Sequence, residues 1–253
     1  MKLKATVAYD GSGFHGFAVN RDVRTVAGDL EAALLTIVGE PVTITCAGRT
    51  DKGVHGRGQV IGFEIPDESD VTPHRIEQSL NGLCKPGIVV RDVQTADDDF
   101  DARFSAQWRQ YRYQVLVSRQ PDPLRSHTSW HVYAPIDLTA MNSAAQHLLG
   151  EHDFTSFCKR VKVPEGEPEK NLTRRVLEAE WKAADDDIVE FWVKATAFCH
   201  QMVRSFVGTL VDVGTGKFEP DAIVDMLEAK DRNAIGRVAP PQGLTFWQVS
   251  YAV

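Results

Sequence analysis

Apolar and polar residues alternate through LKATVAYD at the start of the chain, a period of two that predicts a strand. The period then lengthens. In TVAGDLEAALLTIVG, residues Leu30, Leu34, Leu35 and Val38 fall on one helical stripe, with Thr25 placed to cap the first turn. VTITC and QVIGFEI read as strands, PHRIEQSLNGLC as a helix with Pro73 near its start, and GIVVRDVQTA as another strand. The resulting order, βαββαβ, is that of a ferredoxin-like unit.

The rest of the chain predicts a second α+β half. QWRQYRYQVLVS and SWHVYAP read as strands and LTAMNSAAQHLLG as a helix. RRVLEAEWKA and DIVEFWVKATAF form a hairpin across the acidic turn Asp185 to Asp187. A long helix, CHQMVRSFVGTLVDVG, precedes DAIVDMLEAK and a last strand, LTFWQVSYAV. The polar, Pro- and Gly-containing stretch 159–171 reads as a mobile loop. The two halves are expected at residues 1–103 and 104–253.

At 253 residues, with 43% hydrophobic and 25% charged positions, the chain can form one large domain or two small ones sharing a core. AALLTIV is among its longest apolar runs and is too short to span a membrane. MKLKATVAYD lacks the apolar core of a signal peptide, so a cytoplasmic protein is expected. Cys46, Cys84, Cys158 and Cys199 form no CxxC pair, which argues against structural zinc, and they read as reduced core thiols. The histidines are dispersed, and a metal enzyme is rejected.

Net charge is −7, yet residues 103–125 hold Arg103, Arg109, Arg112, Arg119 and Arg125 against one acid, Asp122. A basic, aromatic strip inside an acidic shell fits nucleic-acid binding on one face. The competing reading is a set of arginines alternating along a solvent-facing strand edge.

The densest chemistry lies in CAGRTDKGVHGRGQV, residues 46–60. It sets one carboxylate, Asp51, among Arg49, Lys52, His55 and Arg57, with four glycines interleaved. Neighbouring cations favour an ionised acid, and the glycines allow sharp turns and close approach. The alternative is a solvated turn in which Asp51 pairs with Arg49. GSGFHGF contains a literal GxGxxG, but the helical pattern starts only near Val26, so a pyrophosphate would find no helix N-terminus there. A glycine-rich turn is the better reading. QYRYQ puts Tyr111 and Tyr113 on one strand face and Arg112 on the other; such aromatics stack bases or belong to the core, and the core is favoured for at least one. On the long helix, Arg204 falls off the apolar face near Gly208, which permits close approach of another element or a ligand.

Taken in order, VAYDGSGFHGF, AGRTDKGVHGRGQV, DDFDARFSA, RQYRYQV, LLGEHDFTSF, FCHQMVRSFVGTLVDVG and GLTFWQVSY resemble the TruA-type tRNA pseudouridine synthases along nearly the whole chain. The resemblance implies an α+β pseudouridine-synthase fold with two ferredoxin-like halves, their sheets joined around a central cleft. It implies isomerisation of uridine to pseudouridine on the 3′ side of the tRNA anticodon stem-loop. No organic cofactor and no metal are implied, and the expected partners are tRNA and a second copy of the chain in a homodimer. By position, Asp51 takes the role of nucleophile, Arg204 pairs with it, and Tyr111 stacks on the target base. Arg49 and Arg57 are expected to contact phosphate or help extrude the nucleotide, with Lys52, His55, Arg109 and Arg112 as further RNA contacts. Lys52 is a departure, since bacterial members often carry alanine after the aspartate. APPQGL and the acidic surplus point to an archaeal source. A tRNA-binding module without chemistry is the alternative.

Overall fold

In a computed structural model, described here for residues 1–160, 171–185 and 187–252, the first alternating segment becomes β1 (Lys2–Tyr9). Every second residue of β1 is buried, as a half-covered sheet requires. The helical stripe becomes α1 (Val26–Val38), where the Thr25 hydroxyl accepts from the Gly28 N–H and Gly39 closes the helix in the left-handed region. β2 is only Thr45–Cys46, shorter than the expected VTITC, and β3 runs His55–Glu64. Thr72 caps α2 (Pro73–Leu83), with Pro73 in its first turn, before β4 (Ile88–Thr95). The expected loop at 159–171 falls largely outside the described residues, as does Asp186 in the acidic turn.

The chain forms two compact units, Met1–Arg109 with Thr245–Val253, and Gln110–Leu244. In the first, the strand order is β4-β1-β3 with antiparallel pairing, and β2 adds to β3. The final strand, β10 (Leu244–Tyr251), pairs parallel to β3 through Thr245 and Phe246. The C-terminus therefore belongs with the N-terminal unit, which a division at 103/104 places otherwise. Local pattern identifies a strand but not its neighbour. Leu3, Val7, Leu30, Leu34, Ile61, Ile76 and Ile88 close the core of this unit.

The second unit is built on β5 (Ala106–Val117), whose first residues lie in the first unit. β6 (Trp130–Val132) runs parallel to β5, and α3 (Leu138–Gln146) follows. A short strand that the periodicity missed, β7 (Gly150–Asp153), pairs antiparallel with β8 (Thr173–Asp185). The expected hairpin joins β8 to β9 (Ile188–Ala195). α4 (Met202–Gly214) and α5 (Ala222–Ala229) complete the unit.

All residues of α4 except Arg204 are buried, including Asp212. Burial pushes the Asp212 carboxyl up, but bonds from Lys217 (2.9 Å) and Arg237 (2.7 Å) outweigh it and hold the group below the usual carboxylate range. Gly208 has a direct structural cause: a Cβ there would stand 1.7 Å from the Arg237 carbonyl oxygen, so the 236–239 segment can lie on the helix only over glycine.

The cysteines depart from the expectation of four reduced thiols. Cys158 and Cys199, separated by 41 residues, form a disulfide with Cα atoms 5.8 Å apart, whereas Cys46 and Cys84 are free. A separation of 41 positions hides such a pairing from any sequence spacing rule. Thiol titration of the denatured, unreduced protein is expected to find two reactive groups, rising to four after reduction. Four before reduction would show that the pair does not form.

Candidate active site in the first unit and the tyrosine and arginine of the second

Backbone contacts and buried polar groups hold the Asp51 loop. On one side, Gln59 is fully buried and clamps Gly48 at both ends: Nε2 donates to the Gly48 carbonyl (2.6 Å) and Oε1 accepts from the Gly48 N–H (3.3 Å). On the other, Thr50 shares a 2.8 Å hydrogen bond with the buried Tyr9 hydroxyl. Burial pushes that hydroxyl well above the usual phenol range, against opposing hydrogen bonds from Thr50 and Gln59, so it stays neutral. The loop closes when the Val54 N–H donates to the Asp51 carbonyl (3.2 Å), with Gly53 at φ +78° in the turn.

GSGFHGF lies against this loop. A short 3-10 turn, Gly11–Gly13, follows β1, and no helix starts before Val26, as the sequence implied. The Phe17 N–H donates to the Thr50 carbonyl (3.0 Å). Gly11 touches the Val54 backbone so closely that a Cβ would stand 2.1 Å from its carbonyl oxygen. The glycines thus serve contact between two loops.

The candidate residues fall into two groups. Asp51 is partly buried, and Arg49, Lys52 and Arg57 are exposed. Arg49 makes no ion pair among the described residues, so the turn in which it neutralises Asp51 is not formed. Lys52 Nζ lies 3.1 Å from His15 Nε2, and the Arg57 guanidinium stacks 4.2 Å over the Trp247 ring. His55 is buried, and its Nδ1 accepts from the Gly11 N–H (3.1 Å). Arg109 is buried too, donating to the carbonyls of Ala47 (3.1 Å), Ala106 (3.1 Å) and Arg103. Both side chains are engaged within the protein, where they brace the loop. Cys46, beside it, has its thiol pushed up to about 11 by burial, with Arg49 opposing. Tyr9, Thr50 and Gln59 were missed as positioning residues. Gln59 carried a signal: it shares the core-facing register of β3 with Ile61 and Phe63, where an amide must be paired.

In the second unit, Tyr111 and Tyr113 are both buried on one face of β5. Tyr113 is a core residue whose hydroxyl donates to the Pro240 carbonyl (2.7 Å). Tyr111 packs edge-on against Phe198 with ring centroids 5.0 Å apart. Arg112, on the opposite face, pairs with Glu190 (3.2 Å) and bonds Gln114 (3.2 Å), which holds it on the sheet. Arg204 is half-buried at the start of α4, its Nε donating to the Ala239 carbonyl (2.7 Å). Among the described residues, no group of three or more His, Cys, Asp or Glu side chains is arranged to hold a metal ion, and no helix is long and apolar enough to cross a membrane.

An α+β protein with one acid on a braced, glycine-rich loop and cations around it is a candidate for chemistry on a polyanion. Comparison with known proteins makes the class definite. The profile of the tRNA pseudouridine synthase family matches residues 5–105 and 144–252, and the chain belongs to that family. It is 40% identical to a tRNA pseudouridine synthase A of Bacillus subtilis, over 99% of each chain. It is 42% identical to the one of Brevibacillus brevis, over 99% of each, and 38% to that of Aliivibrio salmonicida, over 99% of this chain and 93% of the relative. An archaeal box H/ACA sRNP Nop10-Cbf5 complex aligns with 95% of this chain and 59% of its own at 11% identity and a TM-score of 0.36, a level that adds nothing to the assignment.

Gly11→Ala is expected to lower stability by about 1–3 kcal/mol, because backbone on both sides must move. Gly82→Ala, at an exposed helix position with nothing within 4 Å of the new Cβ, should be neutral or slightly stabilising. Equal melting temperatures for the two variants would contradict the loop-to-loop contact.

Proposed function

We propose that this member of the family isomerises uridine to pseudouridine in the anticodon stem-loop of tRNA, with Asp51 as the nucleophile, in the cytoplasm and as a homodimer. The observation that carries the reading is the full-length match to tRNA pseudouridine synthases A, combined with a single acid on a loop braced from both sides. Moving uracil from nitrogen to carbon needs a group that can add and leave again, and a carboxylate does both. A rigid loop supports this role because a nucleophile must be presented at fixed geometry.

Arg204 serves as the partner of the carboxylate, for which a planar guanidinium suits better than an ammonium. Tyr111 stacks on the target base, and its hydroxyl is the candidate acceptor for the proton that leaves carbon. Arg49, Lys52 and Arg57 are the exposed cations of the loop available for backbone phosphates, and they help offset the few kcal/mol that extruding a stacked uridine costs. The roles of Arg204 and Tyr111 rest on the family resemblance. Their placement, one half-buried and hydrogen-bonded and the other against Phe198, supports rigid presentation.

Asp51→Ala is expected to lower pseudouridine formation on unmodified tRNA transcripts by roughly three orders of magnitude or more while leaving tRNA affinity within about threefold. Position-resolved mapping of pseudouridine reads both the rate and the site. If the variant still makes product, Asp51 is not the nucleophile. If wild-type protein binds tRNA and makes none, the non-catalytic module is the correct reading. For Tyr111→Phe, binding should persist and turnover fall about a hundredfold or more; near-normal turnover would leave only the stacking role.

A further inference from the structure

On the second unit, a surface hollow of about 610 Å³ opens beside the N-terminus of α4. Its walls carry Lys159, Arg160, Lys230 and Arg232, against one acid, Asp231. In a chain with net charge −7, this is a local inversion of sign. Lys230 pairs with Asp153 at 3.0 Å, and Asp231 is engaged in accepting from the N–H of Asn233 at 2.9 Å. Lys159 and Arg160, both exposed, have no ion-pair partner among the described residues.

Two features give the hollow direction. Gln201, in the left-handed region at φ 64°, does not cap α4; its side chain accepts from Arg232 Nη2 at 2.7 Å. The positive end of a 13-residue helix thus stands in the wall without a side-chain cap. Arg232 Nη1 is shielded from water and meets no acceptor. Burial first, then the charge of Arg204, hold Arg232 below the usual guanidinium range, a penalty that an anion at this point relieves. Loose donors, a helix N-terminus and surplus positive charge match phosphate oxygens.

We infer that this hollow is an RNA phosphate-binding site, taking backbone phosphodiesters of the tRNA at a place remote in sequence from the Asp51 loop. The inference rests on the reading of the protein as a tRNA-modifying enzyme. It assigns to Lys159, Arg160 and Arg232 a share of substrate affinity that none of the loop arginines accounts for. Binding is electrostatic and carries no base specificity.

The test measures the affinity of the intact protein for unmodified tRNA across a salt series. It compares wild type, the double variant Lys159→Ala/Arg160→Ala and the single variant Arg232→Gln. Lys159 and Arg160 are exposed, so their removal leaves folding intact, and melting temperature checks this for Arg232→Gln. The double variant is expected to bind tRNA about tenfold more weakly, and its slope of log K against log salt should shrink by roughly 1.4–1.8, as loss of two phosphate contacts requires. kcat/KM should fall by the same factor as affinity. If wild type modifies tRNA and both variants keep its affinity and slope, the hollow does not hold RNA, and the proposed function stands without it. Should inorganic phosphate raise the melting temperature of wild type but not of the double variant, while tRNA affinity is unchanged, the site is one for free phosphate and the inference fails. Wild-type protein that neither binds nor modifies tRNA would overturn the proposed function and this inference together.

Discussion

The contact between two loops of the first unit, GSGFHGF and the turn around Asp51, is the constraint on which the candidate site depends. A loop of glycines and charges has no reason to hold one shape, since the conformational entropy it loses is large and its own ion pairs return little. Here backbone meets backbone at Gly11 and Val54, closer than any side chain allows, and Phe17 donates to the Thr50 carbonyl. Behind that contact stand three buried polar side chains, each with its partner: Tyr9 on Thr50, Gln59 on Gly48 and His55 on Gly11. Leaving any of these groups unpaired would cost about 1–3 kcal/mol, so the network favours a single arrangement.

The same logic of close approach organises the second unit. Arg204 and Gly208 sit one turn apart on α4, and the 236–239 segment runs over both. The Gly208 contact brings Arg237 to Asp212, and the Arg204 backbone carbonyl accepts from the Ala239 N–H at 3.0 Å. A helix that is buried nearly all round would ordinarily be apolar all round. This one keeps an acid inside because two cations reach it, Lys217 from just past the helix end and Arg237 from the 236–239 segment.

Much of the architecture was legible in the chain. The alternation of β1, the stripe and threonine cap of α1, Pro73 at the start of α2 and the long α4 all appear where period and capping chemistry place them. The late start of α1, at Val26 and well after GSGFHGF, also appears as the local pattern places it. Three kinds of feature were not legible. β7 is four residues long and too short for its period to show. Arg109, Arg112 and His55 look like free cations in a list of residues but are occupied by carbonyls, Glu190 and Gly11 in space. The Cys158–Cys199 pair joins positions that no spacing rule connects.

What the amino-acid order determined alone is which face of each element is apolar, where helices start and stop, and that one acid lies among cations and glycines at residue 51. These follow from interactions within a few residues, whose geometry is the same in any protein. Only the tertiary structure decided which polar groups are spent on holding the loop and which remain for a substrate, that the last strand completes the first unit beside β3, and that four cations line one hollow. A residue's period tells which way it faces; what stands opposite is chosen by segments tens or hundreds of residues away, and that choice is made by packing.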